Sequence, residues 1–505
     1  MPRLAVLAAL GTLIFAVLAP EAATPSFPYG VAAGEVRSTS ATLWTRAPRS
    51  GEVELSVSTS RIVPQGSPVR RGRAQAPSDR TVSVRVDRLT PATRYFYVFN
   101  QGGLASEIGT FTTAPAPTAA AGVRFAISGD ADATPGSNGK PGFNRFEVYA
   151  RMAAEMNDFN INLGDTIYSD SEVGGAAAAR TVAQKWGKYK LGLALPALRK
   201  LRASAGLYSH WDDHEFVNDF ARAEGGQEIY TAGVKAFRDY SPVAYNSKFG
   251  LYRTVRWGKH LELFFLDERS FRSAKATTAC NGDLAPTVPQ AVRDAFATLA
   301  PALRNPVPAA CLAALNDPAR TMLGAAQYAA FTTAIKASKA TWKVIVNEVP
   351  IQQYYALPYD RWEGYAAERE RLLRFLQANV ENVVFLATDT HANLVNEVRY
   401  KTLAPPPEGT GMWEVVTGPV ATNTFAKEID GFLGTPGAGT AIGALFFKPP
   451  PPNGMGMRCA ALHTYSYAQV TVTARRLTVA PKDSRGRPVQ EATGVACAPL
   501  VLTAR

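Results

Sequence analysis

Four apolar runs in this chain end in acidic or imidazole side chains. Ile127 leads into Ser128-Gly129-Asp130-Ala131-Asp132, and Leu163 into Gly164-Asp165-Thr166-Ile167-Tyr168. Leu207-Tyr208 precedes His210-Trp211-Asp212-Asp213-His214-Glu215, and Leu386-Ala387 precedes Thr388-Asp389-Thr390-His391. In a layered sheet the carboxyl ends of strands open onto one crevice, so these runs would deliver their Asp and His side chains there together. Four or five carboxylates gathered without cations would repel one another and take up protons. Mixed oxygen and imidazole donors suit hard to borderline divalent or trivalent metals, with one carboxylate shared between two ions. The expected chemistry is therefore hydrolysis by metal-activated water, and no Ser or Cys nucleophile paired with a base stands beside these residues. Each motif alone has a plainer reading, because Gly-Asp after a strand is commonly a turn. Asp212-Asp213-His214-Glu215 is the exception, since four consecutive polar groups beside a Trp are costly to bury without a use.

The elements that must hold these residues follow from the apolar periodicity. From residue 123 onward, apolar runs alternate with helical stretches, the pattern of a layered α/β domain. The first unit is a strand over 123–127, a Gly/Pro-rich loop, a helix over 144–156 and a strand over 159–163. On that helix Phe146, Tyr149, Met152, Ala153 and Met156 recur at helical spacing and form its core face. Further strands are expected at 261–266, 343–346, 383–387 and 413–416, and the Gly/Pro-rich stretch 431–456 reads as a long loop. Between 27 and 113 the pattern is instead one of short strands, at 42–45, 53–57, 81–86, 95–99 and 109–112. Leu89-Thr90-Pro91-Ala92-Thr93-Arg94-Tyr95 has the form of a sandwich corner pinned by a tyrosine hydroxyl. The organisation expected is a signal peptide at 1–23, a β-sandwich at 24–115 and a catalytic domain at 116–505.

The 505 residues are 46% hydrophobic and 19% charged, a globular balance that excludes disordered and collagen-like classes. Lys and Arg exceed Asp and Glu by 54 to 42, a net +12 that weakly favours a polyanionic partner. The excess is scattered, without the basic runs of a nucleic-acid arm, so no specific nucleic-acid recognition is expected. Arg3 before an apolar stretch and a small-residue end reads as a secretory signal, which implies a periplasmic or secreted protein. No later stretch is long and apolar enough for a membrane span. Four cysteines in an exported chain favour disulfides, and sequence order suggests Cys280 with Cys311 and Cys459 with Cys497 among three possible pairings. The 280–311 insertion carries Leu284, Val288, Val292, Phe296, Leu299 and Leu303, as a helical lid or a stapled surface excursion.

The motifs Gly164-Asp165-Thr166-Ile167-Tyr168 and Trp211-Asp212-Asp213-His214-Glu215 are specific. Supporting them are Leu266-Asp267-Glu268-Arg269-Ser270-Phe271-Arg272, Trp362-Glu363-Gly364-Tyr365 with Arg369, Asp389-Thr390-His391, and Phe27 to Gly34 with Leu43-Trp44-Thr45-Arg46. On these residues the chain resembles the alkaline phosphatase D-like phosphodiesterases, a branch of the calcineurin-like metallophosphoesterases. The resemblance implies a layered αββα catalytic sandwich preceded by a small all-β fibronectin- or immunoglobulin-like domain. It implies Asp165 as a ligand bridging two metals, Tyr168 as a phenolate on ferric ion, and Asp389 with His391 on a calcium side. Asp213 would be a metal and phosphate ligand, and His214 the adjacent acid or phosphate contact. Asp130 stands where many members carry a thiolate, which makes the site harder and favours calcium, magnesium or manganese over iron. Asp132 either replaces that ligand or caps its loop, and Arg269, with Asp267 and Arg272, is either a salt-bridged strand end or a contact to substrate phosphate. The implied cofactors are two or more ions, Ca2+ and Fe3+ among them. The implied substrate is a phosphate mono- or diester, with envelope polymers and phospholipids in range. Two alternatives stay open: a phospholipase D-like phosphodiesterase on the same scaffold, and a non-catalytic, calcium-stabilised envelope-binding protein.

Overall fold

The computed structural model describes residues 26–62, 69–175 and 177–505. The signal-peptide reading at 1–23 lies outside the described residues. Two large sheets pack face to face and carry helices on their outer faces. In the first, Val123–Ser128, Phe159–Leu163 and Gly206–His210 run parallel at the centre. Ser466–Val472, Arg476–Asp483 and Leu500–Thr503 continue that sheet on one side. In the second, Leu261–Phe265, Trp342–Val346, Val383–Ala387 and Glu408–Val416 are parallel, with Arg253–Trp257 antiparallel at one edge.

The inner faces supply one core. Phe125, Phe159, Tyr208 and Leu163 from the first sheet meet Trp257, Leu263, Val344 and Val384 from the second. The rings of Phe159 and Trp257 lie 4.5 Å apart across it. Outside the first sheet, Met152, Leu201 and Phe237 cover Ala126 and Leu207. Outside the second, Phe331, Leu372 and Leu376 cover Phe264, Ile345 and Phe385. Strands buried on both faces read as continuous apolar runs, which is why 123–127, 159–163 and 383–387 are so conspicuous in the sequence.

The amino-terminal region is all β, and Tyr95 accepts the Thr90 N–H at 2.9 Å, the corner expected from the sequence. One of its sheets joins Val69–Ala74, Gly51–Ser58, Arg94–Gln101 and Gly109–Thr112. Its other sheet, Val31–Gly34, Ser40–Arg46 and Thr81–Asp87, extends the nine-stranded catalytic sheet, because Ala33 pairs in parallel with Gly206. Backbone pairing across the 113–118 linker thus fixes the first region against the second.

Both cysteine pairs are bonded as sequence order suggested, Cys280 to Cys311 and Cys459 to Cys497. Two expectations are corrected. The helix read at 144–156 spans Glu147–Ala154, since Phe146 before it is left-handed at φ 62°, and Met156, read as part of its core face, lies beyond its end and is exposed. The stretch read as a loop at 431–456 holds the end of Phe425–Leu433, then Ala438–Ile442 and Gly443–Phe447. Its glycines mislead because one of them serves close packing. A Cβ on Gly439 would stand 2.5 Å from the Ala426 carbonyl, so only glycine lets these helices touch.

Candidate functional site

The carboxyl ends of Val123–Ser128, Phe159–Leu163, Gly206–His210 and Val383–Ala387 meet at one rim of the two-sheet core, and each releases a motif there. Gly129 is required at this crossing, as a Cβ would lie 1.9 Å from the Leu163 carbonyl oxygen. Asp130, Asp165, Asp389 and His391 all adopt left-handed backbone, at φ 62°, 47°, 67° and 51°. Non-glycine residues held there cost about 1–3 kcal/mol each, and such strain concentrates where side chains must be aimed.

Three groups of potential ligand atoms result, each with all its atoms within 4.8 Å of one another: Asp130, Asp165 and His391; Asp165, Asp213 and His214; Asp212, Asp213 and Asp389. Asp165 belongs to the first two and Asp213 to the last two, so the clusters share carboxylates. Asp389 and His391, read together from the sequence, fall in different groups. Tyr168 Oη lies 3.0 Å from His391 Nε2, beside the first group, and its ring stacks on His214 with centroids 4.1 Å apart.

The donors fit cations. Asp130 Oδ2 and Asp212 Oδ2 are buried without a hydrogen-bond partner. Burial first, then the fields of neighbouring carboxylates, push Asp165 and Asp389 well above the usual carboxylate range. Asp130 is pushed up to about 7 by burial, although the His391 charge opposes it. Positive charge among these groups would restore their ionised forms.

Further carboxylates surround the groups. Asp170 accepts from His214 Nδ1 at 2.6 Å and from the Asn218 N–H at 2.7 Å. Glu428 accepts from His391 Nδ1 at 2.5 Å. Burial lowers both imidazoles, but Asp213 and Asp170 raise His214 to about 9, and Glu428 raises His391 to about 9. Carboxylate partners of this kind fix the tautomer and aim the other ring nitrogen. Glu215 accepts the Asp212 N–H at 2.9 Å and the Thr166 N–H at 2.6 Å, pinning two motif loops together. The polar run 212–215 signalled Asp212 and Glu215; no local pattern marks Asp170 or Glu428.

Asp132 and Arg269 each have two readings in the sequence. Asp132 takes the Thr134 N–H at 2.8 Å and the Ser171 hydroxyl, so it caps its loop. Arg269, a candidate contact to substrate, is fully buried. Its Nε donates to Asp212, its Nη1 to Asp360 at 2.7 Å and its Nη2 to Asp389 at 3.1 Å. A guanidinium held this way balances and orients the acidic groups from behind and has no free edge for a phosphate. His210 is buried beside Glu348, 3.1 Å away, and burial drives it down to about 3, so it stays neutral in the core.

A cleft of about 770 Å³ opens over the groups, with Asp165, Asp213, His214, Asp389 and His391 in its lining. A two-sheet αββα body with shared carboxylates and imidazoles at its strand ends defines a metallophosphoesterase-like class. Residues 133–446 match the PhoD-like phosphatase family and residues 14–115 its amino-terminal domain, and the chain belongs to that family. It is similar to alkaline phosphatase D of Bacillus subtilis (strain 168), 25% identical over 425 residues. That match covers 74% of this chain and 66% of the relative, so the chain spans just under two thirds of the relative's length. The fold is similar to a solved structure of PhoD, with TM-score 0.71 and 21% identity, covering 96% of this chain and 90% of the other. It is also similar to a purple acid phosphatase from yellow lupin (Lupinus luteus) seeds, with TM-score 0.56 and 12% identity, covering 94% and 75%.

Proposed function

We propose that this protein hydrolyses phosphate esters with water at a centre of two or more cations, outside the cytoplasm. The observation that carries this reading is Asp165 shared between two donor groups in the lining of a cleft, with His214 beside it. Bound cations supply an acidified water and neutralise the phosphoryl oxygens. The chain's own part is to place them and to move a proton. Asp165 sets the two positions side by side, with Asp130 and His391 completing one and Asp213 the other. Asp170 occupies His214 Nδ1, which leaves Nε2 to donate a proton to the departing alkoxide. Arg269 keeps Asp212 and Asp389 in register from the buried side.

The all-carboxylate group of Asp212, Asp213 and Asp389 suits calcium. The group of Asp130 and His391, with the Tyr168 phenol beside it, mixes carboxylate, phenol and imidazole donors without a thiolate, and so suits magnesium or manganese, with a ferric ion as the alternative that the phenol supports. Two disulfides support an oxidising compartment, and no helix among the described residues is long and apolar enough to cross a membrane. The substrates that fit are phosphate mono- and diesters, including those of envelope polymers and phospholipids. The test is nitrophenol release from bis(nitrophenyl) phosphate and from the monoester, with metals replaced one at a time. Turnover that needs a metal and is abolished in a folded Asp165→Ala protein is expected. A chelated protein or an Asp165→Ala protein as active as the parent would overturn the reading and leave the cations a structural role.

A further inference from the structure

The helix Val182–Ala194 supplies none of the donor groups, yet it is tied to the loops that carry them. Its start is fixed by a capping box, in which Thr181 Oγ1 accepts the Gln184 N–H at 3.3 Å and Gln184 accepts the Thr181 N–H at 3.0 Å. Lys185 follows and is fully buried. Its Nζ donates to Ser169 Oγ at 2.7 Å and to the Phe216 carbonyl at 2.8 Å. Lys188, three residues on and on the same helix face, donates to Thr134 Oγ1 at 2.9 Å. One helix thus reaches the loops that follow Asp130, Asp165 and Asp213.

The two acceptors of Lys185 flank the pair on which proton transfer depends. Ser169 precedes Asp170, and Phe216 lies two residues beyond His214. The Ser169 N–H donates to the His214 carbonyl at 3.0 Å, and the Ala179 N–H to the Ser169 carbonyl at 2.7 Å. Asp170 in turn accepts from His214 Nδ1 at 2.6 Å, and Lys185 closes this ring on its buried side. An amine buried against two neutral oxygens is costly, and a Met would fill the space without that cost, so stability does not account for it. Burial draws Lys185 down to about 8, against the fields of Asp170 and Glu215. Its ties do not depend on that charge, because a neutral amine keeps an N–H for each of its two acceptors.

From this ring we infer that Lys185 is a positioning residue for the proton donor: it holds the Asp170 loop against the His214 loop, so that Nδ1 stays on Asp170 and Nε2 stays aimed at the leaving group. The inference rests on the hydrolytic reading, in which His214 protonates the departing alkoxide. Lys185 acts through Ser169 and Phe216.

The experiment compares two esters and follows one proton. Values of kcat and KM are measured for a dialkyl phosphodiester and for bis(nitrophenyl) phosphate, whose nitrophenolate leaves without a proton, with metal content alongside. Lys185→Met should lower kcat for the dialkyl ester by about a hundredfold, as a misplaced catalytic group does, with KM little changed. The nitrophenyl ester should lose less than about threefold, because its leaving group makes no call on the donor. Ser169→Ala, which cuts one tie and keeps the amine, should show the same split in smaller measure. In protein labelled with isotopic nitrogen at histidine, the His214 Nδ1–H resonance is assigned among the five histidines by its loss in His214→Gln. It should move upfield or vanish in Lys185→Met. Equal loss on both esters, or no loss, in a folded Lys185→Met protein overturns the inference, and so does an unmoved resonance. If Lys185→Met does not fold, Ser169→Ala without the split overturns it. A parent that turns over neither ester with any metal overturns the hydrolytic reading instead, and the resonance then decides whether Lys185 holds the Asp170–His214 bond.

Discussion

Replacing Asp170 with Asn removes a charge beside His214 and keeps an acceptor for its Nδ1–H. His214 is held up at about 9, against an ordinary value near 6.5, although burial alone would lower it. Two carboxylates do this, Asp213 by its field and Asp170 by its charge and by a 2.6 Å hydrogen bond. A cation on Asp213 neutralises that field, which leaves Asp170 as the group that keeps the imidazole protonated in the loaded protein. A charge-assisted bond exceeds a neutral one by about 1–2 kcal/mol, and about 1.4 kcal/mol is one pH unit, so Asp170→Asn should lower His214 by about one unit. The assay is kcat/KM from pH 6 to 10, with metal content measured alongside. The substrate is a dialkyl phosphodiester, whose alkoxide needs the proton, compared with bis(nitrophenyl) phosphate, whose nitrophenolate leaves without one. For the dialkyl ester the alkaline limb should move down by about one unit, costing about fivefold at the parent's own midpoint, about tenfold well above it, and little at pH 6.5. For the nitrophenyl ester it should stay in place. The same limb for both proteins on the dialkyl ester, with full metal content, would refute His214 as the proton donor.

Three further outcomes are expected. Burial lifts Asp130 to about 7, Asp212 to about 6 and Glu215 to about 7, so the chelated fold binds more protons than the unfolded chain between about pH 4 and 7. Its stability should therefore fall as pH rises through that window, read as Tm with EDTA, and added metal should restore it most at pH 7 and above. Removing Cys280–Cys311, which closes 31 residues, by a double Ser substitution should cost about 3.7 kcal/mol on the chain-entropy account in urea titration of the intact protein. Unchanged protease sensitivity of the insertion would contradict that. Asp79 is drawn down to about 2 against the effect of burial, by Arg46 at 2.8 Å, Tyr240 at 2.5 Å and Lys190 at 3.1 Å. A depressed carboxylate stabilises above its unfolded value, so Asp79→Asn should melt earlier than the parent above pH 4. The two should converge as pH falls towards 2.

The sequence by itself determined the strands and the ligand-bearing motifs, because both are local. Strands 123–127, 159–163 and 383–387 are buried on both faces, so their composition alone marks them, and parallel order brings their carboxyl ends to one rim. The polar run at 212–215 showed itself because a Trp-flanked set of four ionisable groups has no cheap structural reason. Tertiary structure decided what depends on partners far along the chain. Asp170 and Glu428 carry no signal until folding sets them on His214, 44 residues away, and on His391, 37 residues away. For Arg269 the sequence left open a salt-bridged strand end or a phosphate contact, and only the fold brings Asp212, Asp360 and Asp389 onto its edges from separate loops. The 431–456 stretch read as loop because glycine lowers helix propensity, and only the contact of Gly439 with Ala426 shows that glycine there is the condition for packing. The cleft needed both: the apolar spacing of 284–303 was written locally, and only the folded chain sets Phe296 of that stretch against Phe446.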